Sequence, residues 1–218
     1  MRVTHLGHSC LLVEAADRRI LIDPGGWSSG FEELTGLDAI FVTHQHADHL
    51  DVARFPALLS GNPQAQVHAD PQSAAILADT GLHVGVLSAG QDLSVGDVRV
   101  RPLGKMHAFN HDWVPNVANV GLRLQADGEP GLFHPGDALD ADPGDVDLLA
   151  VPVNAPWCAV RDTIAFVRRV APRAIVPIHD GLLAPQGRQL YLTHIQKHGG
   201  DGLTLHDLAG AGAVTISA

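Results

Sequence analysis

The chain has 218 residues, 45% of them hydrophobic and 17% charged, a composition that excludes a disordered segment and suits one folded domain spanning 1–218. A net charge of −10 with histidine neutral repels a phosphate backbone and argues against nucleic-acid binding. The N-terminus has no signal-peptide pattern and no apolar stretch reaches membrane-spanning length, so a cytoplasmic protein without membrane association is expected.

The first forty residues read as short strands, Arg2–Leu6, Ser9–Glu14 and Arg19–Ile22, with Ala15-Ala16-Asp17-Arg18 as the hairpin turn between the last two. Pro24-Gly25-Gly26 breaks that pattern, and Ala39–Val42 is a four-residue apolar strand ending at Thr43. Leu50–Leu59 reads as a short helix punctuated by Pro56, Gln66–His68 as a strand, and Pro71–Asp79 as a helix opened by proline. Two strands flank the Val95-Gly96-Asp97 turn within Gln91–Leu103, and Val120–Gln125 pairs with Gly131–His134 across Ala126–Pro130. Leu148–Val153 and Ala174–Ile178 are buried strands. Val160–Val170 carries apolar residues at helical spacing, Arg188–His198 is a helix stopped by Gly199-Gly200, and Leu203–His206 and Ala213–Ile216 close the chain as strands. This order fits two sheets packed face to face with helices outside.

Cys10 and Cys158 lie far apart, and Cys10 sits in an apolar run, so a buried reduced thiol is expected rather than a disulfide framework. The anomaly is histidine, of which there are 14. Thr43-His44-Gln45-His46-Ala47-Asp48-His49 follows an apolar strand and places four possible metal ligands within six residues. Imidazole and carboxylate suit zinc, and neutral imidazole also binds iron. In an irregular loop, His44 and His46 can face one cation while Asp48 and His49 face a second. So short a loop cannot wrap two ions, so further donors must come from other strand ends: His107 after Leu103, Asp137 after Gly131–His134, and His179 after Ala174–Ile178. His107 and His111 both follow the same strand. His107 is preferred as the ligand, being nearer the strand end, and His111 is left as a pocket residue able to act as acid or base. Asp23 is a candidate acceptor for a ligand's second ring nitrogen or a turn residue, His8 a residue near the site or a structural histidine, and Trp157 a pocket wall or part of a bland loop. His5, His68, His83, His134, His194, His198 and His206 read as structural or surface residues.

The run His-x-His-x-Asp-His after a strand ending in threonine resembles the signature of the metallo-β-lactamase superfamily, and Gly136-Asp137 and Pro177-Ile178-His179 resemble its later motifs. Thr4–Cys10, Ile20–Pro24 and Val176–Asp180 are similar to the branch containing ascorbate-6-phosphate lactonase and other metal-dependent hydrolases. The resemblance implies an α/β fold, the four-layer αββα sandwich, with His44, His46 and His107 on a first metal, Asp48, His49 and His179 on a second, and Asp137 bridging them. It implies a hydrolase holding two divalent ions, zinc foremost and manganese or iron also accepted, and a capacity for homo-oligomerisation. A hydroxide shared by the two ions would attack an ester, lactone or phosphodiester of a small-molecule substrate, with Asp48, Asp137 and His111 as the catalytic residues. A di-iron oxidoreductase is the alternative, disfavoured because the chain has no room for a flavodoxin domain. A non-catalytic metal-binding domain is disfavoured by the complete ligand set.

Overall fold

The computed structural model describes residues 1–217. One seven-stranded sheet has the order β14-β1-β2-β3-β4-β5-β6, built from β1 (Arg2–His5), β2 (Leu11–Ala15), β3 (Arg18–Ile22), β4 (Ala39–Val42), β5 (Gln66–Ala69), β6 (Gly85–Val86) and β14 (Val214–Thr215). The other has the order β13-β12-β11-β10-β9-β8-β7, from β7 (Leu93–Val95), β8 (Val98–Leu103), β9 (Gly121–Gln125), β10 (Leu132–His134), β11 (Leu148–Pro152), β12 (Ala174–Ile178) and β13 (Thr204–Leu205). Helices α1 (Phe55–Ser60) and α2 (Pro71–Ala78) accompany the first sheet, and α3 (Val160–Val170) and α4 (Pro185–His198) the second.

Strand alternation sorts the apolar residues into layers, since successive side chains leave a strand on opposite faces. On β3 and β4, Ile20, Ile22, Ala39 and Phe41 join a central core with Leu148, Ala150, Val176 and Ile178 of β11 and β12. The intervening Leu21, Ile40 and Val42 pack outward with Phe55 and Leu58 of α1 and Leu77 of α2. On the far side Leu149, Val151 and Ile175 meet Phe166 and Val167 of α3 and Leu192 and Ile195 of α4. The result is the expected αββα sandwich. Cys10 and Cys158 are buried free thiols, and no helix among the described residues is long and apolar enough to cross a membrane.

Several boundaries differ from the sequence expectation. The first helix begins at Phe55 rather than Leu50. Asp51 Oδ1 accepts from the backbone N–H groups of Ala53 and Arg54 and holds the preceding residues in a turn, and Pro56 is confined to the first helical turn, where its missing N–H costs nothing. By the same rule Pro185 starts α4 three residues before Arg188. The β2–β3 hairpin is tighter than expected, with Ala16 and Asp17 both left-handed (φ 46° and 58°), the conformation a two-residue type I′ turn requires. The second strand starts at Leu11 instead of Ser9, and the short β6 and a 3₁₀ turn at Phe31–Glu33 have no clear signal in the sequence.

Candidate metal centre

The candidate ligands follow strands that point the same way. β1 and β3 are both antiparallel to β2, and β3 runs parallel to β4, so His8, Asp23 and the His44–His49 run all leave carboxyl ends of strands at one edge. In the second sheet β8 and β10 are both antiparallel to β9, and β10, β11 and β12 are parallel, which brings His107, Asp137 and His179 to a common edge. Backbone hydrogen bonds tie the two edges together: His179 N–H to the His8 carbonyl (2.9 Å) and Val120 N–H to the Thr43 carbonyl (2.9 Å). Ligand sites of α/β folds lie at such carboxyl ends because side chains there escape the packed layers.

The donors fall into overlapping groups, each with atoms close enough to share a cation: His44, His46 and His107; His8, Asp48, His49 and His179; and His44, His49 and Asp137. All seven expected ligands are among them, and His8 joins the second group. In the first, His44 Nε2 lies 3.1 Å from His46 Nδ1. In the second, Asp48 Oδ2 is 2.9 Å from His8 Nε2 and 3.4 Å from His179 Nε2. Asp137 lies between them. Its Oδ1 is 3.1 Å from His49 Nε2, and its Oδ2 is 3.0 Å from His179 Nε2, 3.4 Å from His107 Nε2 and 4.0 Å from His44 Nε2.

These side chains are aimed from behind. Asp23, fully buried, accepts from His49 Nδ1 (2.7 Å), from Thr43 Oγ1 (2.7 Å) and from Thr43 N–H (2.7 Å). Thr43 Oγ1, its proton given to Asp23, accepts from His44 Nδ1 at 3.2 Å, so one carboxylate orients two imidazoles. His107 Nδ1 donates to the Ala108 carbonyl (2.7 Å) and His179 Nδ1 to the Asn154 carbonyl (2.6 Å). Asn119 Oδ1 accepts from Asp137 N–H, and Trp157 Nε1 donates to Asp137 Oδ2 at 3.1 Å. The loop is pressed against the β3 end: a Cβ on Gly25 would lie 1.8 Å from the Asp48 carbonyl oxygen, so only glycine allows the approach. Of these supports, Asp23 and Trp157 were visible in the sequence as alternatives. Asn119 and the two carbonyls carry no residue-type signal.

The residues fit a cation. His107 Nε2, His179 Nε2 and Asp137 Oδ1 are buried without a hydrogen-bond partner, and each such atom costs about 1–3 kcal/mol if left unpaired. The two groups differ electrostatically. Burial, reinforced by the His49 charge, holds His44 well below its ordinary pKa, and burial lowers His46 as well. Burial also opposes a charge on His49 and His179, but Asp137 and Asp23 drive His49 well above the ordinary value, and Asp137 and Asp48 push His179 up to about 9. Burial opposes ionisation of Asp137 and Asp48 too. His49 outweighs it at Asp137, and the nearby His179 and His8 imidazoles outweigh it at Asp48, leaving both carboxyls well below the usual range.

His111 lies outside all three groups. It is exposed on the 108–116 loop, where its Nδ1 accepts from Trp113 N–H at 3.3 Å, and it shares that loop with Phe109 (65% exposed) and Trp113 (90% exposed). His134, near Asp137 in sequence, is buried and donates from Nε2 to the Ser9 carbonyl, away from the donor groups.

A family model described as a β-lactamase superfamily domain matches residues 2–179. The chain is 44% identical to protein Rv0786c of Mycobacterium tuberculosis over 88% of its own length and 89% of that protein's. It is 28% identical to a UPF0173 metal-dependent hydrolase of Methylobacterium nodulans, covering 85% of this chain and 88% of the relative. Among solved structures it is similar to Igni18, a metallo hydrolase of Ignicoccus hospitalis, with a TM-score of 0.73, 15% identity and 99% of each chain covered.

Proposed function

Since this chain belongs to the β-lactamase superfamily, we propose that it is a metal-dependent hydrolase that cleaves an ester, lactone or phosphodiester of a small molecule at a two-cation centre. The observation that carries this reading is the convergence of imidazole and carboxylate donors from both sheets around one carboxylate, Asp137, with His107 Nε2, His179 Nε2 and Asp137 Oδ1 buried and without a hydrogen-bond partner. His44, His46 and His107 would hold one ion and Asp48, His49 and His179 the other, with Asp137 reaching both. Two divalent ions so held supply an activated water at neutral pH and polarise the scissile carbonyl or phosphoryl oxygen.

The chain's own residues supply the rest. Asp23 fixes the ring of His49 directly and that of His44 through Thr43, so both Nε2 atoms face inward. The Trp157 indole N–H holds Asp137 Oδ2 and keeps its carboxylate plane from turning. Trp157 and Trp27 set aromatic surface beside His179 and His8, with ring centroids 6.1 Å and 4.7 Å apart, a wall suited to an uncharged part of a substrate.

The test is titration of metal-free protein with zinc and with manganese, followed by elemental analysis and a panel of lactone, ester and phosphodiester substrates. Saturation near two ions per chain with hydrolysis that needs both is the expected result. Saturation at one ion, or a fully loaded protein inert on the whole panel, would overturn the corresponding part of the proposal.

A further inference from the structure

Among the histidines of the cluster, His8 differs from the others in what holds its second ring nitrogen. His49, His107 and His179 each turn Nδ1 to a group that only accepts: the Asp23 carboxylate, the Ala108 carbonyl and the Asn154 carbonyl. In a neutral imidazole this puts the proton on Nδ1 and leaves a bare lone pair on Nε2, the form a cation binds. At His8 the sense is reversed. The backbone N–H of Gly181 donates to His8 Nδ1 at 3.2 Å, so Nδ1 carries the lone pair and the proton of the neutral ring sits on Nε2, 2.9 Å from Asp48 Oδ2. Turning the ring over would place carbon at both contacts, so this orientation is the one the surroundings support.

We infer that His8 is a positioning residue, which donates its Nε2–H to Asp48 and aims that carboxylate at the second cation, and that it is not itself a ligand, although its nitrogen lies within ligand reach of Asp48, His49 and His179. The inference rests on the two-cation reading above.

The backbone is built for this contact. His8 is left-handed (φ 50°), a conformation that costs a non-glycine residue on the order of 1 kcal/mol or more and persists where its surroundings over-determine it. Here the His8 carbonyl accepts both the His179 N–H (2.9 Å) and His5 Nε2–H (2.8 Å). Gly181 suits the arrangement: a Cβ there would stand 3.0 Å from His8 Nδ1 and 3.2 Å from the Trp27 ring, and would crowd both rings by a few tenths of an ångström. The Trp27 ring meets the His8 ring edge-on at 4.7 Å and closes the remaining side.

The experiment is a long-range ¹H–¹⁵N spectrum of zinc-loaded protein labelled at histidine nitrogens, with His8→Gln used to assign the His8 signals. The expected signature is a protonated Nε2 and a bare Nδ1 at His8, opposite to the protonated Nδ1 and zinc-bound Nε2 of His49, His107 and His179. A zinc-bound Nε2 at His8 overturns the inference. Chelator competition gives a second readout. His8→Ala should weaken the second ion about 10- to 100-fold while leaving the first unchanged, and His8→Gln, whose amide N–H reaches the same place, should recover most of that loss. Loss of the second ion in both variants overturns the inference as well. Failure of wild-type protein to load a second ion would instead overturn the two-cation reading, and the His8 tautomer and its bond to Asp48 are still read in the metal-free protein.

Discussion

The two halves of the cluster are made of similar side chains and behave differently. In the half made of His44, His46 and His107, burial holds His44 and His46 in the uncharged, binding-ready form. The half around Asp48, His49 and His179 carries a carboxylate, two imidazoles that hold protons tightly, and left-handed backbone at His8 (φ 50°) and His179 (φ 59°). The first half is poised to accept a cation without rearrangement of charge. On the proposed two-cation reading the second would exchange protons for an ion, and its backbone is strained at His8 and His179. Preorganisation at one site and charge exchange at the other can thus arise from the same ligand chemistry, through burial and the nearness of Asp137 and Asp23.

The harshest way to break this comparison is Asp137→Ala. It removes the one carboxylate shared by both halves, so both ions should be lost to mild chelation and hydrolysis abolished; near-normal metal content, measured by elemental analysis, would mean the halves are independent. Asp23→Ala should weaken binding about 10- to 100-fold by freeing His49 and, through Thr43, His44. Because Asp23 serves both halves, loss confined to one ion would show that the Thr43 relay carries nothing.

The comparison sharpens with pH. A ligand must shed its proton to bind metal, and His179 keeps its proton up to about 9 in the metal-free cluster. Loading of the second half should therefore release protons at neutral pH, and its affinity should fall as pH drops from 9, roughly tenfold per unit for each proton displaced. Loading of the first half should be nearly flat above pH 7. Titration calorimetry in two buffers of different ionisation enthalpy separates the cases, and equal proton release for both ions would erase the distinction. The smallest effect on metal is expected for His111→Ala. From its exposed loop this residue should leave both ions in place, and loss of the first ion in that variant would return His111 to the ligand set.

Much of this could be read from the residues. Strand alternation is local, so residues such as Leu21 between Ile20 and Ile22 already announce a strand with two buried faces. The density of donors in His44–His49 is equally local, and Asp137 and His179 announce themselves as polar residues just beyond apolar strands. The helix starts are legible too, in Pro56 and Pro185, although the apolar pattern extends past the first to Leu50 and stops short of the second at Arg188. What the chain could not disclose in one dimension is which proton sits where. Whether His8 offers a lone pair or an N–H depends on the Gly181 backbone, 173 residues away. The acceptors behind His107 and His179 are backbone carbonyls, which every residue possesses and none advertises, and the Trp157 contact to Asp137 needs the β11–α3 connection folded over the β10 end. Local periodicity and side-chain chemistry decide which residues can be ligands, because they act over a few bonds. Orientation and protonation are decided only when the strand ends of two sheets meet, because they are set by partners that the tertiary structure alone brings within hydrogen-bonding distance.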